Sequence, residues 1–386
     1  MARPVNMLYL GAIESNDIRQ RPQQIARLLA KFYRLTYLEP VGLRSLQLKD
    51  YERLRLRLKS VLRHRRVHPA LEFDTASLFY IPFAGSRMFR SINERILLAQ
   101  ARRRFAFLGS GDFFLWIGSP NLLARTLLKK SWPYVSIYDC MDDLAAIHEG
   151  PDSRRIVEDE DEVARSVDIV FASSLKLYEK MVQRNSRTFL VQNGVDLNCF
   201  NLKNAPDRGT PTELPSGKPL VGYYGTIGHW VDLELVDYVA ASRPEWNVIL
   251  IGPLKTLNSR LPQRKNIFWI GPKPYDRIVS YAKRFSVAMI PFLINELTKS
   301  VNPVKLYEYL ALGKAVVSTN LPEVQEFSAL IRVAKSRDEF LRCLDEEVRQ
   351  EPDPAIMRQR FEAVNKHSWD RRIEEIRSII ESFERD

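Results

Sequence analysis

Cysteine is scarce in this sequence. Cys140, Cys199 and Cys343 are three among 386 residues, odd in number and far apart. They suggest neither a disulfide framework nor zinc-ligand spacing. Long apolar runs are missing too, and no stretch reaches the roughly 20 residues that a bilayer span needs. Residues 1–10 read straight into a strand-like segment, without the long apolar core and cleavage site of a secretory leader. The expectation is a cytoplasmic chain. Nothing in the composition resembles a collagen, a mucin or a long disordered tail.

What is present is an ordinary globular composition, with 45% hydrophobic and 27% charged residues over a length that suits two domains. The formal charge is +11. Such an excess can serve nucleic acid, an anionic membrane surface or an anionic substrate. Much of it lies in the first third, at Arg53, Arg55, Arg57, Lys59, Arg63, Arg65 and Arg66, and then at Arg102–Arg104.

Short Val-, Ile-, Leu-, Tyr- and Phe-rich runs alternate with helical patterns. In the first half they fall at 7–10, 36–38, 78–81, 113–117, 134–138, 168–172 and 188–191. They are nearly continuous in apolar character, as parallel strands covered on both faces should be. Residues 201–218 then turn polar around Pro206, Gly209, Pro211, Pro215 and Gly217, which reads as a linker. The pattern resumes at 220–224, 248–252, 267–270, 287–291, 315–318 and 330–333, with helices predicted over 232–241, 275–284 and 304–312. Two successive βα series predict an α/β chain of two doubly wound domains. The boundaries expected are 1–203, a linker at 204–217, and 218–369. Ligands in such sheets bind beyond the strand C-termini, so the crevice between the domains is the expected site.

Residues 51–66 read as a basic amphipathic helix, with Tyr51, Leu54, Leu58 and Leu62 on one face and Arg or Lys around them. A packed surface helix with solvated arginines explains it. So does docking on anionic lipid through Arg57, Arg63 and Arg66. Nucleic acid fits least, because no nucleic-acid module is present and aromatics are not interleaved. Arg19 and Arg21 precede another helix and could meet an acceptor phosphate or simply be exposed.

The segment 291–321 holds the clearest chemistry. A polar loop follows a strand, and Asn302-Pro303 opens a helix. Free N–H groups at that helix start, near Val301 and Asn302, with Lys299 and Lys305 close in sequence, favour a phosphate. Glu308 can accept two hydrogen bonds, as from ribose hydroxyls, or can be an ordinary part of a capped helix. Gly225-Thr226-Ile227-Gly228 ends the first strand of the second series, where glycines let backbone approach a ligand.

In several segments, in order, the chain resembles GT-B glycosyltransferases of the family 4 kind. Val191-Gln192-Asn193-Gly194-Val195-Asp196 followed by Phe200 resembles the family's "pNGVD…F" signature. Ala172–Leu175 resembles its "tS..l" turn, and Ile270-Gly271-Pro272 its "f.G.v" turn. Lys305–Val317 resembles its "k..EyeAaGkPVV" run. Ser368-Trp369 resembles the point from which, in the family, a last helix, here 370–386, crosses back to the N-terminal domain. The resemblance implies a GT-B fold, a nucleotide-sugar donor and transfer with retention, without a metal or other cofactor. Carried over, it places Glu308 on the ribose and Gly225–Gly228 along the diphosphate or sugar. Lys305 and the amides near Val301 and Asn302 would hold the diphosphate, and the turn of Gly271, Pro272 and Lys273 would meet the base. Gly11 would lie where the N-terminal loop meets the donor sugar.

Two positions depart from the family pattern. Ser300 stands where the family often has a second Glu. His229, Trp230 and Asp232 follow the glycine turn where Arg and Lys are usual. The cation facing the diphosphate must then be Lys305 or Lys299.

Asp139, Asp142 and Asp143, with His148 after them, follow a first-half strand. A carboxylate there can orient an acceptor hydroxyl or take its proton, or can cap the next helix; a DxD-like metal site is a third reading, which a GT-B fold disfavours. The reading is a hexosyl-transferring enzyme, peripheral at the inner face of a plasma membrane. It would act on a lipid-linked or polysaccharide acceptor in surface glycan synthesis, with no nucleic-acid partner. Its rivals are a nucleotide-sugar epimerase of the same fold and a non-catalytic nucleotide- or membrane-binding scaffold.

Overall fold

A computed structural model describes residues 6–15, 19–40, 66–67, 72–81, 87–147, 153–203, 209, 211–255 and 261–383. The chain divides into two compact units, Met1–Gln192 with Ile373–Asp386, and Asn193–Arg372. The change of unit thus falls ahead of the Pro- and Gly-bearing stretch at 204–217.

The first unit holds an eight-stranded sheet. Its strands are β1 (Asn6–Leu10), β2 (Arg34–Leu38), β3 (Arg66–Val67), β4 (Asp74–Ala76), β5 (Phe113–Ile117), β6 (Val135–Cys140), β7 (Ile169–Ala172) and β8 (Thr188–Leu190). The order is β3-β4-β2-β1-β5-β6-β7-β8. Every pairing is parallel except β3 with β4. β1, β5, β6 and β7 are buried almost throughout. That burial on both faces is the reason their sequences are continuously apolar.

The edge differs from expectation. The run at 78–81 is not a strand, and the strand is instead Asp74–Ala76. Arg66 lies in a strand rather than at the end of a helix. The rest of the expected basic helix, Arg57 and Arg63 included, lies outside the described residues, as does His148.

The second unit holds β9 (Leu220–Tyr224), β10 (Asn247–Ile251), β11 (Ile267–Gly271), β12 (Val287–Ile290), β13 (Val316–Thr319) and β14 (Arg332–Ala334). The order is β11-β10-β9-β12-β13-β14, all parallel. Counted from β9 as 1, it reads 3-2-1-4-5-6, the Rossmann order. β9, whose neighbours β10 and β12 lead in opposite directions, is the switch point where such sheets take ligands.

Three glycines stand where β9, β10 and β11 end. Gly225 (φ 132°), Gly252 (φ 139°) and Gly271 (φ 75°) all have backbone angles that L side chains rarely adopt. A Cβ on Gly252 would lie 2.0 Å from the Gly225 carbonyl oxygen. Gly252→Ala should therefore cost on the order of 1–3 kcal/mol from backbone strain alone, with the steric clash added. Urea unfolding measures it. An unchanged midpoint would show that the two strand ends are not held this close.

Candidate functional site

In the second unit the site is built around the helix Val304–Ala311. Pro303 is its N-cap and no side chain caps it. Leu306 N–H turns back to the Pro303 carbonyl at 3.0 Å, which leaves the first-turn N–H groups of Val304 and Lys305 for another acceptor. Lys305 lies against the glycine turn: a Cβ on Gly225 would sit 2.0 Å from its Cε and 2.6 Å from its Nζ. The ammonium stands 5.7 Å from the ring centre of Tyr223. It makes no hydrogen bond or ion pair among the described residues. Burial lowers its pKa, and the nearby Glu308 opposes that shift.

Glu308 is 4% exposed. Tyr224 donates its hydroxyl to Glu308 Oε2 at 2.8 Å, and Tyr275 donates to Oε1 at 3.3 Å. Burial pushes the Glu308 carboxyl up to about 7, against the pull of the Tyr224 hydroxyl and Lys305. A carboxylate has about four acceptor positions, so two remain for a ligand. Both tyrosines are buttressed by Phe200, whose ring centre lies 6.3 Å from that of Tyr224 and 5.5 Å from that of Tyr275.

The side chain and carbonyl of Asn302 serve the neighbouring loop, whereas the expectation for this residue lay with its backbone N–H. Its Oδ1 accepts from the Asn193 N–H and its carbonyl accepts from Asn193 Nδ2. Its own Nδ2 donates to Tyr307 Oη at 3.0 Å and Glu323 Oε2 at 2.8 Å. The side chain is thus committed to joining the Asn193 loop to the helix start. Lys299 pairs with Glu296 at 2.8 Å in an exposed i,i+3 contact. Val301 N–H is bonded to the Thr298 carbonyl.

Thr226 accepts the Tyr223 hydroxyl on its carbonyl at 3.0 Å. Gly228 leaves room for Trp230, whose ring a Cβ would meet at 2.5 Å. Pro272 is exposed beyond Gly271, and the neighbouring Lys273 pairs with Glu213. Tyr223, Tyr224, Tyr275 and Gly252 were not singled out in the sequence. Only Gly252, at a strand end opposite the glycine turn, carried a local signal.

In the first unit the expected carboxylates separate into three kinds. Asp139, at the end of β6, is 1% exposed and is gripped by Arg21, itself 3% exposed. Arg21 donates from Nε at 3.0 and 3.1 Å and from Nη2 at 2.7 Å, and its Nη1 donates to the Val191 carbonyl. Arg21 is therefore neither exposed nor open to an acceptor phosphate. Asp143 accepts from Lys180 at 2.9 Å, as does Glu160. Asp142, half-buried, has no hydrogen-bond or ion partner for its carboxyl among the described residues. Burial first, then the Asp139 charge, raises it to about 6. Gly11 is filled from behind by Tyr37, whose ring a Cβ would meet at 2.4 Å. Arg19 is half-buried just ahead of the helix Arg21–Leu29. Among the described residues no group of three or more His, Cys, Asp or Glu is gathered as a metal site. None of the described helices is long and apolar enough to cross a membrane.

No family model matches the chain. HepE of Anabaena, solved with UDP and glucose, superposes with a TM-score of 0.68 at 12% identity, covering 98% of this chain and 100% of HepE. The chain has the GT-B fold. Sucrose-phosphate synthase of Thermosynechococcus elongatus gives 0.65 at 13% identity over 97% of this chain and 98% of that one. A glycosyltransferase of Rickettsia africae gives 0.65 at 11% identity over 98% and 100%. By sequence, the chain is 29% identical over 233 residues to a Bacillus subtilis (strain 168) protein, TuaH. That protein is provisionally named a teichuronic acid biosynthesis glycosyltransferase. The match spans 55% of this chain and 56%, about half, of that relative's length.

The raised carboxyls carry a pH signature. Glu308 holds its proton more tightly in the folded chain than in the unfolded one, so between its ordinary 4.5 and about 7 the native state binds more protons. Stability therefore falls as pH rises through that window, and the cost is complete above it. Glu308→Gln removes the cost. The variant should be about 1–3 kcal/mol more stable than the parent at pH 8, and no more stable than the parent at pH 4. Urea titrations at the two pH values read it, and equal stabilities at pH 8 would contradict a buried, raised carboxyl.

Proposed function

We propose that the chain is a glycosyltransferase that takes its sugar from a nucleotide-sugar donor bound at the C-terminal edge of the second sheet. The observation that carries this reading is the Lys305 ammonium. It is partly withdrawn from water, unpaired, and set between a glycine strand end and an uncapped helix start. Such a cation is costly to hold without an anion, and a diphosphate supplies one. Glu308, three residues further round the helix, has acceptor positions left for ribose hydroxyls. The open approach at Gly225 lets backbone lie along the phosphates, and Gly271 and Pro272 are assigned to the base. The UDP held by HepE and the resemblance to family 4 enzymes support this assignment.

In this mechanism Lys305 stabilises the leaving diphosphate. Charge on that group grows as the glycosidic bond breaks, so a fixed cation in a dry setting lowers the barrier. Lys305 and the helix N–H groups supply the positive charge, and no divalent ion is assigned. The anomeric outcome assigned from the family is retention. On the acceptor side the proposal narrows to Asp142. Asp139 and Asp143 are neutralised by Arg21 and Lys180, whereas Asp142 has a free carboxyl raised towards neutrality, which suits a group that orients or deprotonates a hydroxyl. The acceptor class, a lipid-linked or polysaccharide intermediate of surface glycan synthesis, is supported by the name of TuaH. Cytoplasmic placement at a membrane surface belongs to the same proposal.

Calorimetry separates the donor roles. Glu308→Gln should weaken nucleoside and nucleoside diphosphate binding alike, by roughly 1.5–3 kcal/mol, the range for hydrogen bonds to a charged group. Lys305→Met should weaken the diphosphate, spare the nucleoside and depress turnover further than binding. Unaltered diphosphate affinity in a folded Lys305→Met protein would remove the cation from the site. Transfer should persist in EDTA; its loss on chelation and return with Mg²⁺ would replace Lys305 by a metal ion.

Asp142→Asn should lower kcat by roughly 10²–10⁴-fold, the range for a positioned acid or base, while leaving donor binding in place. A variant with near-normal turnover would return the acceptor side to the other residues.

A further inference from the structure

The parallel strands of the second unit run from one edge, where β12 and β13 begin, to the edge that carries Gly225, Gly252 and Gly271. The starting edge holds a cavity of about 360 Å³ lined by Leu202, Leu312, Met357, Ser280, Arg284 and Lys314, with Lys283 and Asn201 at its margin. That volume lies in the range of small-molecule sites, roughly 300–1,000 Å³. The donor residues assigned above lie at the opposite ends of these strands, so the cavity is not part of the donor site.

Its described lining combines apolar and cationic side chains, and none of those residues is acidic. Lys314 donates to the carbonyls of Lys283 at 2.6 Å and Phe285 at 2.8 Å. These two bonds close the end of the helix Tyr275–Ala282 and explain why a lysine stands there. An ammonium has three donors, so one is left over. Lys314 has no carboxylate partner among the described residues, and neither does Arg284. Burial, with Arg284 and Lys283 facing it, lowers the Lys314 ammonium to about 8. Ser280, 7% exposed, lines the same cavity, and its Oγ has no hydrogen-bond partner among the described residues. A donor to spare, an unpartnered hydroxyl and an unpaired guanidinium around one cavity are what an oxyanion satisfies at once.

We propose that this cavity is a second ligand site, which takes a small phosphate-bearing molecule with its phosphate against Lys314, Arg284 and Ser280 and its body over Leu202, Leu312 and Met357. It is a site for an effector rather than for the substrate. Bound phosphate covers the spare donor of Lys314 and raises the charge on its amine. Both effects slow acylation of that amine.

Competitive labelling with acetic anhydride, read residue by residue by mass spectrometry, tests the site on the full chain. Inorganic phosphate and glycerol 3-phosphate are the probes. Either probe at millimolar concentration should slow labelling of Lys314 several-fold in the parent protein. Arg284→Gln, an exposed position, should abolish that protection. Lys305→Met should leave it in place, which separates this cavity from the donor edge. Glycerol 3-phosphate should protect at lower concentration than inorganic phosphate if the apolar wall contributes; equal potency would confine the site to the phosphate itself and overturn the part assigned to Leu202, Leu312 and Met357. Unprotected Lys314 with both probes would overturn the site altogether, as would equal protection in Arg284→Gln. Ser280→Ala, a mild change in a helix, should weaken protection without lowering the melting temperature. Full protection in that variant would remove the hydroxyl from the site.

Discussion

Glu308 keeps a carboxyl group almost entirely out of water, and much of the second unit is arranged to hold it there. An unpaired buried carboxylate is costly. Here two tyrosine hydroxyls share the load, and Phe200 holds both rings in place. Lys305 adds a positive charge close enough to be felt, though not close enough to pair. The helix start that carries Lys305 is in turn fixed by the mutual hydrogen bonds of Asn193 and Asn302. Removing any one of these supports would leave a polar group stranded. The Asn193 and Phe200 positions therefore do their work at a distance, by keeping Glu308 and Lys305 presentable to a ligand.

The first unit solves a related problem in the opposite way. Asp139 is buried more deeply than Glu308, but Arg21 neutralises it with three contacts and ties the pair to the Val191 carbonyl. Breaking such a pair from one side strands a charge, which makes Arg21 and Asp139 a structural unit. Their joint field falls on Asp142 two residues beyond the strand end, where the carboxylate of Asp139 opposes ionisation and Arg21 favours it. A structural pair thus adjusts the acidity of its unpaired neighbour, after burial has raised it.

Much of this was legible in the sequence. Strands such as Phe113–Ile117 and Leu220–Tyr224 are covered on both faces, so burial writes itself into consecutive apolar residues. The edge was harder. Asp74–Ala76 is only three residues long and half-exposed, so it leaves no apolar run, whereas the coil at 78–81 does because Leu78 is buried. Within the site, Lys305, Glu308 and Gly225 stood out because helix starts and strand-end glycines have local signatures. The tyrosines did not. Tyr224 and Tyr275 reach Glu308 across 84 and 33 residues of chain, and a tyrosine at a strand end reads as core. The same limit applies to Arg21: its proximity to Asp139 spans 118 residues, so an arginine beside a helix start read as either exposed or open to an acceptor phosphate.

The helix Trp369–Glu381 begins in the second unit and ends in the first. In the first unit Arg377 lies 3.8 Å from the ring centre of Phe32, and Phe383 sits under Arg187. This has a consequence for the order of assembly on the ribosome. Domains generally fold as they emerge, N-terminal first. Here the unit that is synthesised first lacks its closing segment until the whole of the second unit has been made. Its early form must wait, with Phe32 lacking its Arg377 contact, until the segment that follows the second unit has been made.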